Sequence, residues 1–251
     1  MRSLLLNGKR WIAGCVALAC CVGFQSCLDD DDDNYYSKVL PNALVTVKPV
    51  ADGVYLQLDD STTLLPVNLS TSPFGDKEVR ALTNFDKSTE SSGGYDQAVY
   101  VNWIDSILTK RMLVQYDLNV DDSYYGHDPV EIVNDWVTIA EDGYLTLRFR
   151  TRYGGNTSHL VNLLMSQDPE KPYEVEFRHN AFGDDAGGRW ADGLVAFKLD
   201  SLPDTNGQTV KLKLKWESFS GEKSTEFDYC TRKATPAGAS IALERGTMAL
   251  E

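Results

Sequence analysis

The residues able to do chemistry are few and scattered. The chain has three histidines, His127, His159 and His179, and none stands in a His-Glu-x-x-His or comparable ligand spacing. They form a metal site only if the fold brings them together, and no metal or other cofactor is expected. No Gly-x-Ser-x-Gly elbow and no phosphate-cradling loop before a helix is present. Cys230 lies in the strand-like run Phe227-Asp228-Tyr229-Cys230-Thr231 and reads as a small core hydrophobe, since nothing basic beside it favours a thiolate. Acidic residues number 37, so close carboxylate pairs arise by chance and do not by themselves indicate glycosidic chemistry. One loop is more specific. Asp184, Asp185 and Asp192 flank Gly187-Gly188-Arg189-Trp190. Hard oxygens there suit calcium, and Trp190 suits a sugar face, although the spacing is not that of an EF-hand. The plainer reading is a polar turn with Trp190 tucked onto the domain. No catalytic residue is assigned.

The N-terminus indicates where such a chain would act. Arg2, Lys9 and Arg10 precede an uncharged apolar run from Trp11 to Phe24, the layout of a secretory leader. The run is shorter than the roughly 20 residues of a membrane span. It ends at Phe24-Gln25-Ser26-Cys27, which resembles the lipobox of bacterial lipoproteins, although Phe24-Gln25 departs from the usual aliphatic and small residues. Cys15 follows a better textual match, but cleavage there would strand an apolar stretch on the mature protein. Cys20 is the second choice. With Cys27 as the lipidated N-terminus, residues 1–26 are the signal peptide and only Cys230 keeps a free sulfur, so no internal disulfide is expected.

Asp29, Asp30, Asp31, Asp32 and Asp33 follow at once. Mutual repulsion keeps such a run extended, so residues 27–37 read as a tether. An acidic run beside a lipidated cysteine resembles the export signal that places Bacteroidetes lipoproteins on the outer face of the outer membrane. The stretch from Leu28 to Ser37 spans at most about 35 Å, which holds the folded part near the lipid.

Period-two alternation dominates the rest. Val54, Leu56 and Leu58 alternate with Tyr55, Gln57 and Asp59; Leu145, Leu147 and Phe149 alternate with Thr146, Arg148 and Arg150; Leu212, Leu214 and Trp216 alternate with Lys211, Lys213 and Lys215. Each pattern predicts one buried and one wet face. The lysine stripe reads as a solvated face or a guarded edge. Turn residues such as Ala51-Asp52-Gly53, Glu141-Asp142-Gly143 and Asn206-Gly207 separate the runs. The best helix candidate is Pro129–Trp136, with Asp128 as its cap. The class is all-β. A polar break near residues 121–129 predicts two domains: a small OB-like Greek-key barrel over 38–120, and an antiparallel β-sandwich over 129–233. Residues 234–251 stay unassigned.

The layout resembles the NigD-like lipoproteins of Bacteroidetes. The likeness rests on the lipobox cysteine and acidic tether, Asn34-Tyr35-Tyr36, Asp52-Gly53-Val54-Tyr55-Leu56-Gln57-Leu58-Asp59, Val99-Tyr100-Val101-Asn102-Trp103, Asp135-Trp136-Val137-Thr138-Ile139 and Gly143-Tyr144-Leu145-Thr146-Leu147. It implies an OB-like domain followed by a β-sandwich, a link to bacteriocins through the family's name, and no catalytic residues.

The formal charge of −13 opposes nucleic-acid binding, because phosphate neutralisation needs clustered Lys and Arg. The expected function is a non-enzymatic binding or accessory lipoprotein, attached to the outer membrane through Cys27 and displayed at the cell surface. Its partner would be a protein or a glycan. The alternative is a glycan-active enzyme or glycan binder, which needs an acid-lined cleft beside an exposed aromatic platform. A third is a structural envelope component held by a sheet edge.

Overall fold

The computed structural model describes residues 38–114 and 122–232. Cys27, Asp29 to Asp33 and the C-terminal tail lie outside the described residues. Five strands form a closed barrel: β1 (Ala43–Val50), β2 (Gly53–Gln57), β3 (Thr63–Pro66), β4 (Val79–Lys87) and β5 (Gln97–Ser106), in the order β1-β2-β3-β5-β4. Closure leaves no free sheet edge. Val45, Val47, Val54, Leu56, Leu64, Val99 and Val101 fill the interior.

The remaining elements are β6 (Leu108–Arg111), the short helix α1 (Asp122–Tyr125), β7 (Glu131–Ile132), β8 (Ile139–Glu141), β9 (Tyr144–Tyr153), β10 (Leu160–Met165), β11 (Glu174–Asn180), β12 (Arg189–Lys198), β13 (Val210–Ser218) and β14 (Gly221–Tyr229). One sheet runs β10-β11-β13-β14; the facing sheet runs β6-β12-β9-β7, with β8 also paired to β9. Leu145, Leu147, Phe149, Leu163, Phe177, Phe197, Leu212 and Leu214 form the core between them. The all-β class, the OB-like barrel and the sandwich are as the alternation predicts, with three parallel pairings, β3 with β5 in the barrel and β6 with β12 and β11 with β13 in the sandwich.

Two expectations need correction. Residues 108–111 fall within the stretch assigned to the barrel, yet β6 pairs with β12, and Leu113 bridges to Leu164. The barrel therefore ends at Ser106, and the sandwich begins well before 129. Pro129–Trp136 is not a helix. Its amides are taken elsewhere: Val130 N–H donates to Glu217 O and Val133 N–H to Arg148 O, while Asp128 accepts the amide of Ala181.

The predicted wet faces are not all wet. Tyr55 and Gln57 on β2, Thr46 and Lys48 on β1, and Arg80 on β4 are buried, because the barrel's outer face meets the start of β9. Tyr144 and Thr146 are the β9 residues that face it. Lys48 Nζ donates to Asp142 at 2.8 Å, and to Gln57. Arg80 has a fully buried side chain; it pairs with Glu141 and donates to Thr46 and Thr146. Arg232 and the Tyr144 hydroxyl both donate to Glu78. Asp142 and Gly143 adopt φ of 47° and 73°, the left-handed pair of a two-residue hairpin turn between β8 and β9. That turn delivers the Asp142 carboxylate to Lys48.

Burial pushes Lys48 below the usual lysine range, against the pull of Asp142. Burial likewise raises Tyr55 to about 12, assisted by Asp142 and Glu78. It raises Glu141 despite Arg80. For Glu78 the balance reverses: burial opposes ionisation, but the hydrogen bonds from Tyr144 and Arg232 hold it low. Buried pairs of this kind contribute little over an apolar substitute, but removing one partner is costly. Asp142→Asn keeps a side chain that tolerates the turn and leaves Lys48 buried and uncompensated. We expect a loss of about 3 kcal/mol in urea denaturation. The double change Asp142→Asn with Lys48→Met should recover most of it.

Candidate functional site

Strand directions bring one set of sandwich ends together. The end of β9 and start of β12 pair, the start of β10 pairs with the end of β11, and the end of β13 turns directly into β14. These ends, their loops and α1 form a pole at the opposite end of β9 from the barrel seam. Tyr124, Tyr153, Phe182, Trp190 and Phe219 all sit there, each between 36% and 50% exposed. Of these, sequence reading singled out Trp190. Tyr125, next to Tyr124 on α1, is buried.

The loop expected to bind an ion or sugar is part of this pole, and its acids are divided among separate tasks. Asp184 is buried. Its carboxylate accepts the amides of Gly154, Gly155 and Asn156 at 2.9–3.0 Å. A Cβ on Gly154 would meet Asp184 O at 2.5 Å, so a glycine is required for this approach. Burial opposes ionisation of Asp184, but the amides of Asn156, Gly155 and Gly154 outweigh it and hold the carboxyl low. Asp192 lies on β12 and faces β9, where Arg148 and Arg150 both pair with it. Asp185 is half-buried and makes no ion pair among the described residues. Trp190 neither tucks inside nor stands free: the Arg152 guanidinium lies 4.1 Å from its ring centroid, and Phe219 meets it edge-on at 5.0 Å. The four residues do not converge on one point.

Two histidines do converge. His159 Nδ1 and His179 Nε2 are 2.9 Å apart, and His179 Nδ1 contacts Asp128 O. The carbonyl only accepts, so His179 carries its proton on Nδ1, and His159 donates to it. Burial pushes His179 below the usual imidazole range. His127 stands apart, with Asp122 and Arg178. Among the described residues, no group of three or more His, Cys, Asp or Glu is arranged to hold a metal ion.

Other candidates resolve into structure. Lys211, Lys213 and Lys215 pair with Asp228, Glu174 and Glu222 on the flanking strands, so the stripe is a solvated face of a central strand. Cys230 is half-buried just past β14, with a weak contact from the Thr205 hydroxyl at 3.6 Å, rather than a core residue. Trp216 is buried and Trp136 is exposed. A groove of about 440 Å³ beside the seam is lined by Asp59, Asp60, Glu141 and Asp228, but each carboxylate is engaged by its own amide or cation. Its one aromatic neighbour is Phe227. A second groove, about 370 Å³, lies in the barrel between the Ala51-Asp52-Gly53 turn and Tyr95.

Two outcomes follow for the pole. Asp184→Asn removes a charged acceptor from three amides; we expect a loss of about 1–3 kcal/mol, with faster hydrogen exchange at Gly154, Gly155 and Asn156. The hydrogen bond from Arg150, against some burial and with help from Arg148, lowers Asp192 from 3.8 to about 2. A depressed carboxylate stabilises above its unfolded value and loses that contribution as pH falls through the folded one. The stability gap between the native chain and Asp192→Asn should therefore be constant above pH ~5 and close as pH falls toward ~2.

Comparison with known proteins agrees with this architecture. The NigD-like N-terminal OB domain matches residues 44–107, and the NigD-like C-terminal beta sandwich domain matches 113–229. No curated protein matches the chain significantly. Among solved structures, a candidate toxin-related protein from Parabacteroides distasonis is 35% identical, with a TM-score of 0.63, covering 81% of this chain and 97% of its own. A NigD-like immunity protein from Bacteroides caccae, 22% identical over 75% of this chain and 96% of its own, has the same fold at a TM-score of 0.52. A candidate lipoprotein from Bacteroides fragilis, 12% identical over 76% of this chain and 98% of its own, does so at 0.51. With both domain matches in chain order on the barrel and the sandwich, this chain belongs to the NigD-like family.

Proposed function

We propose that this chain is a non-enzymatic protein-binding lipoprotein of the outer membrane, attached through Cys27 and displayed outward by the acidic run Asp29 to Asp33. The observation that carries the binding role is the pole: five exposed aromatic side chains gathered on loops and strand ends that Asp184 and Asp192 pin in place. Aromatic side chains and arginine supply most of the energy of protein contacts, and a pinned surface pays little ordering entropy on binding. The acids of the seam groove are committed to structure and stand apart from the exposed tryptophans, which argues against glycosidic chemistry. The glycan-binding alternative draws on the exposure of Trp190, but Arg152 lies over that ring and leaves less of it for a sugar. The name of the Bacteroides caccae relative favours interception of a polypeptide toxin as the form this binding takes.

The tether joins the folded part at the barrel, so the pole belongs to the domain farther along the chain from the lipid. A photocrosslinking amino acid at Phe182 or Tyr124 should capture a polypeptide in intact cells, while one at the exposed barrel residue Tyr100 should not. Equal capture from both sites, or none from the pole, overturns the assignment of the surface. Cys27→Ser should release the protein from the membrane, and external protease should cut the native form in intact cells. Resistance until lysis would refute outward display.

A further inference from the structure

Resting on the pole as the contact surface, its charge identifies what kind of polypeptide fits it. The outer face of β9 passes from Tyr144 and Thr146 in the seam to Arg148, Arg150 and Arg152. Arg189 on β12 pairs with Tyr153 and so lies on the opposite face, while Trp190 pairs with Arg152. Three of the eight arginines among the described residues thus lie on this one face, in a chain whose formal charge is −13. Arg148 and Arg150 share Asp192, and Arg148 also pairs with Asp135. Arg152, by contrast, has no carboxylate within ion-pair distance among the described residues.

Arg152 is also prepared for a partner. Its guanidinium lies over the Trp190 ring and is fixed by one hydrogen bond from Nη1 to Gly188 O. Gly188 itself packs so closely on Tyr153 that a Cβ would lie 2.7 Å from its backbone. The remaining N–H groups, on Nε and Nη2, have no acceptor among the described residues. A guanidinium held over the ring face, with one N–H fork free, suits a carboxylate bidentately. The exposed rims of Trp190 and Phe219 offer an apolar contact alongside.

We propose that Arg152, Trp190 and Phe219 form a docking site for an acidic polypeptide segment, with a carboxylate on the free edge of Arg152 and an adjacent apolar side chain against the two rings.

The test uses the full-length chain and two probes, Ac-Glu-Leu-Phe-NH2 and its neutral counterpart Ac-Gln-Leu-Phe-NH2, read by the indole N–H signal of Trp190, with Trp190→Phe to assign it. The Glu peptide should shift that signal saturably, and the Gln peptide should bind at least ~5-fold more weakly. Arg152→Gln should abolish the difference between them, while Arg111→Gln, at an exposed arginine of β6 away from the pole, preserves it. Equal binding of both peptides, or a difference that survives Arg152→Gln, overturns the carboxylate site while leaving the pole as a contact surface. Shifts confined to other signals also overturn it. Glucuronate shifting Trp190 where neither peptide does would assign the arginine to acidic glycans and refute the polypeptide. If every arginine variant is destabilised, Phe219→Ala judged by the same peptide pair on the Trp190 signal keeps the question decidable: undiminished binding of the Glu peptide overturns the site. Failure of the whole-pole reading shows separately, in the crosslinking from Phe182 and Tyr124.

Discussion

The buried pair of Lys48 and Asp142 sets the arrangement of everything else. It lies where the β8–β9 turn enters the barrel's outer wall, with both side chains almost out of solvent. An ion pair there adds little net stability, but it discriminates against misplacement, because any other register leaves a charge buried without a partner. Arg80 with Glu141 and Arg232 with Glu78 apply the same constraint on either side. The apolar remainder of the contact, around Leu44, Ile107, Val137 and Ala196, supplies the hydrophobic term.

Fixing the start of β9 fixes the rest of that strand. Its inward residues, Leu145, Leu147 and Phe149, enter the sandwich core. Its outward residues follow at period two, from seam to arginines. The sheet geometry leaves no freedom for the two faces to be set independently. The position of the arginines is thereby tied to the same turn that delivers Asp142 to the barrel.

Much of the fold could be read from alternation and turn residues. The strands at Val54–Leu58, Leu145–Phe149 and Leu212–Trp216, and the Glu141-Asp142-Gly143 turn, stand where the pattern places them. The seam could not be read, because Lys48, Arg80 and Gln57 have the composition of a wet face, and only the opposing domain makes that face dry. The barrel limit was missed for a related reason: Leu108–Arg111 carries no turn before it, so its transfer to another sheet leaves no local signal. At the pole, Trp190 and the surrounding aspartates were visible in sequence. Their division of labour depends on which amides and guanidinium groups the loops bring within reach, and on Phe219 arriving from a distant hairpin.

The joint between the two halves has a mechanical meaning. A single residue, Ile107, separates the last barrel strand from the first strand of the sandwich, and it is buried. Such a link has no slack to swing or stretch. A load applied at the far loops would pass straight into the barrel wall as shear across paired strands, so pole and barrel respond as one continuous β framework.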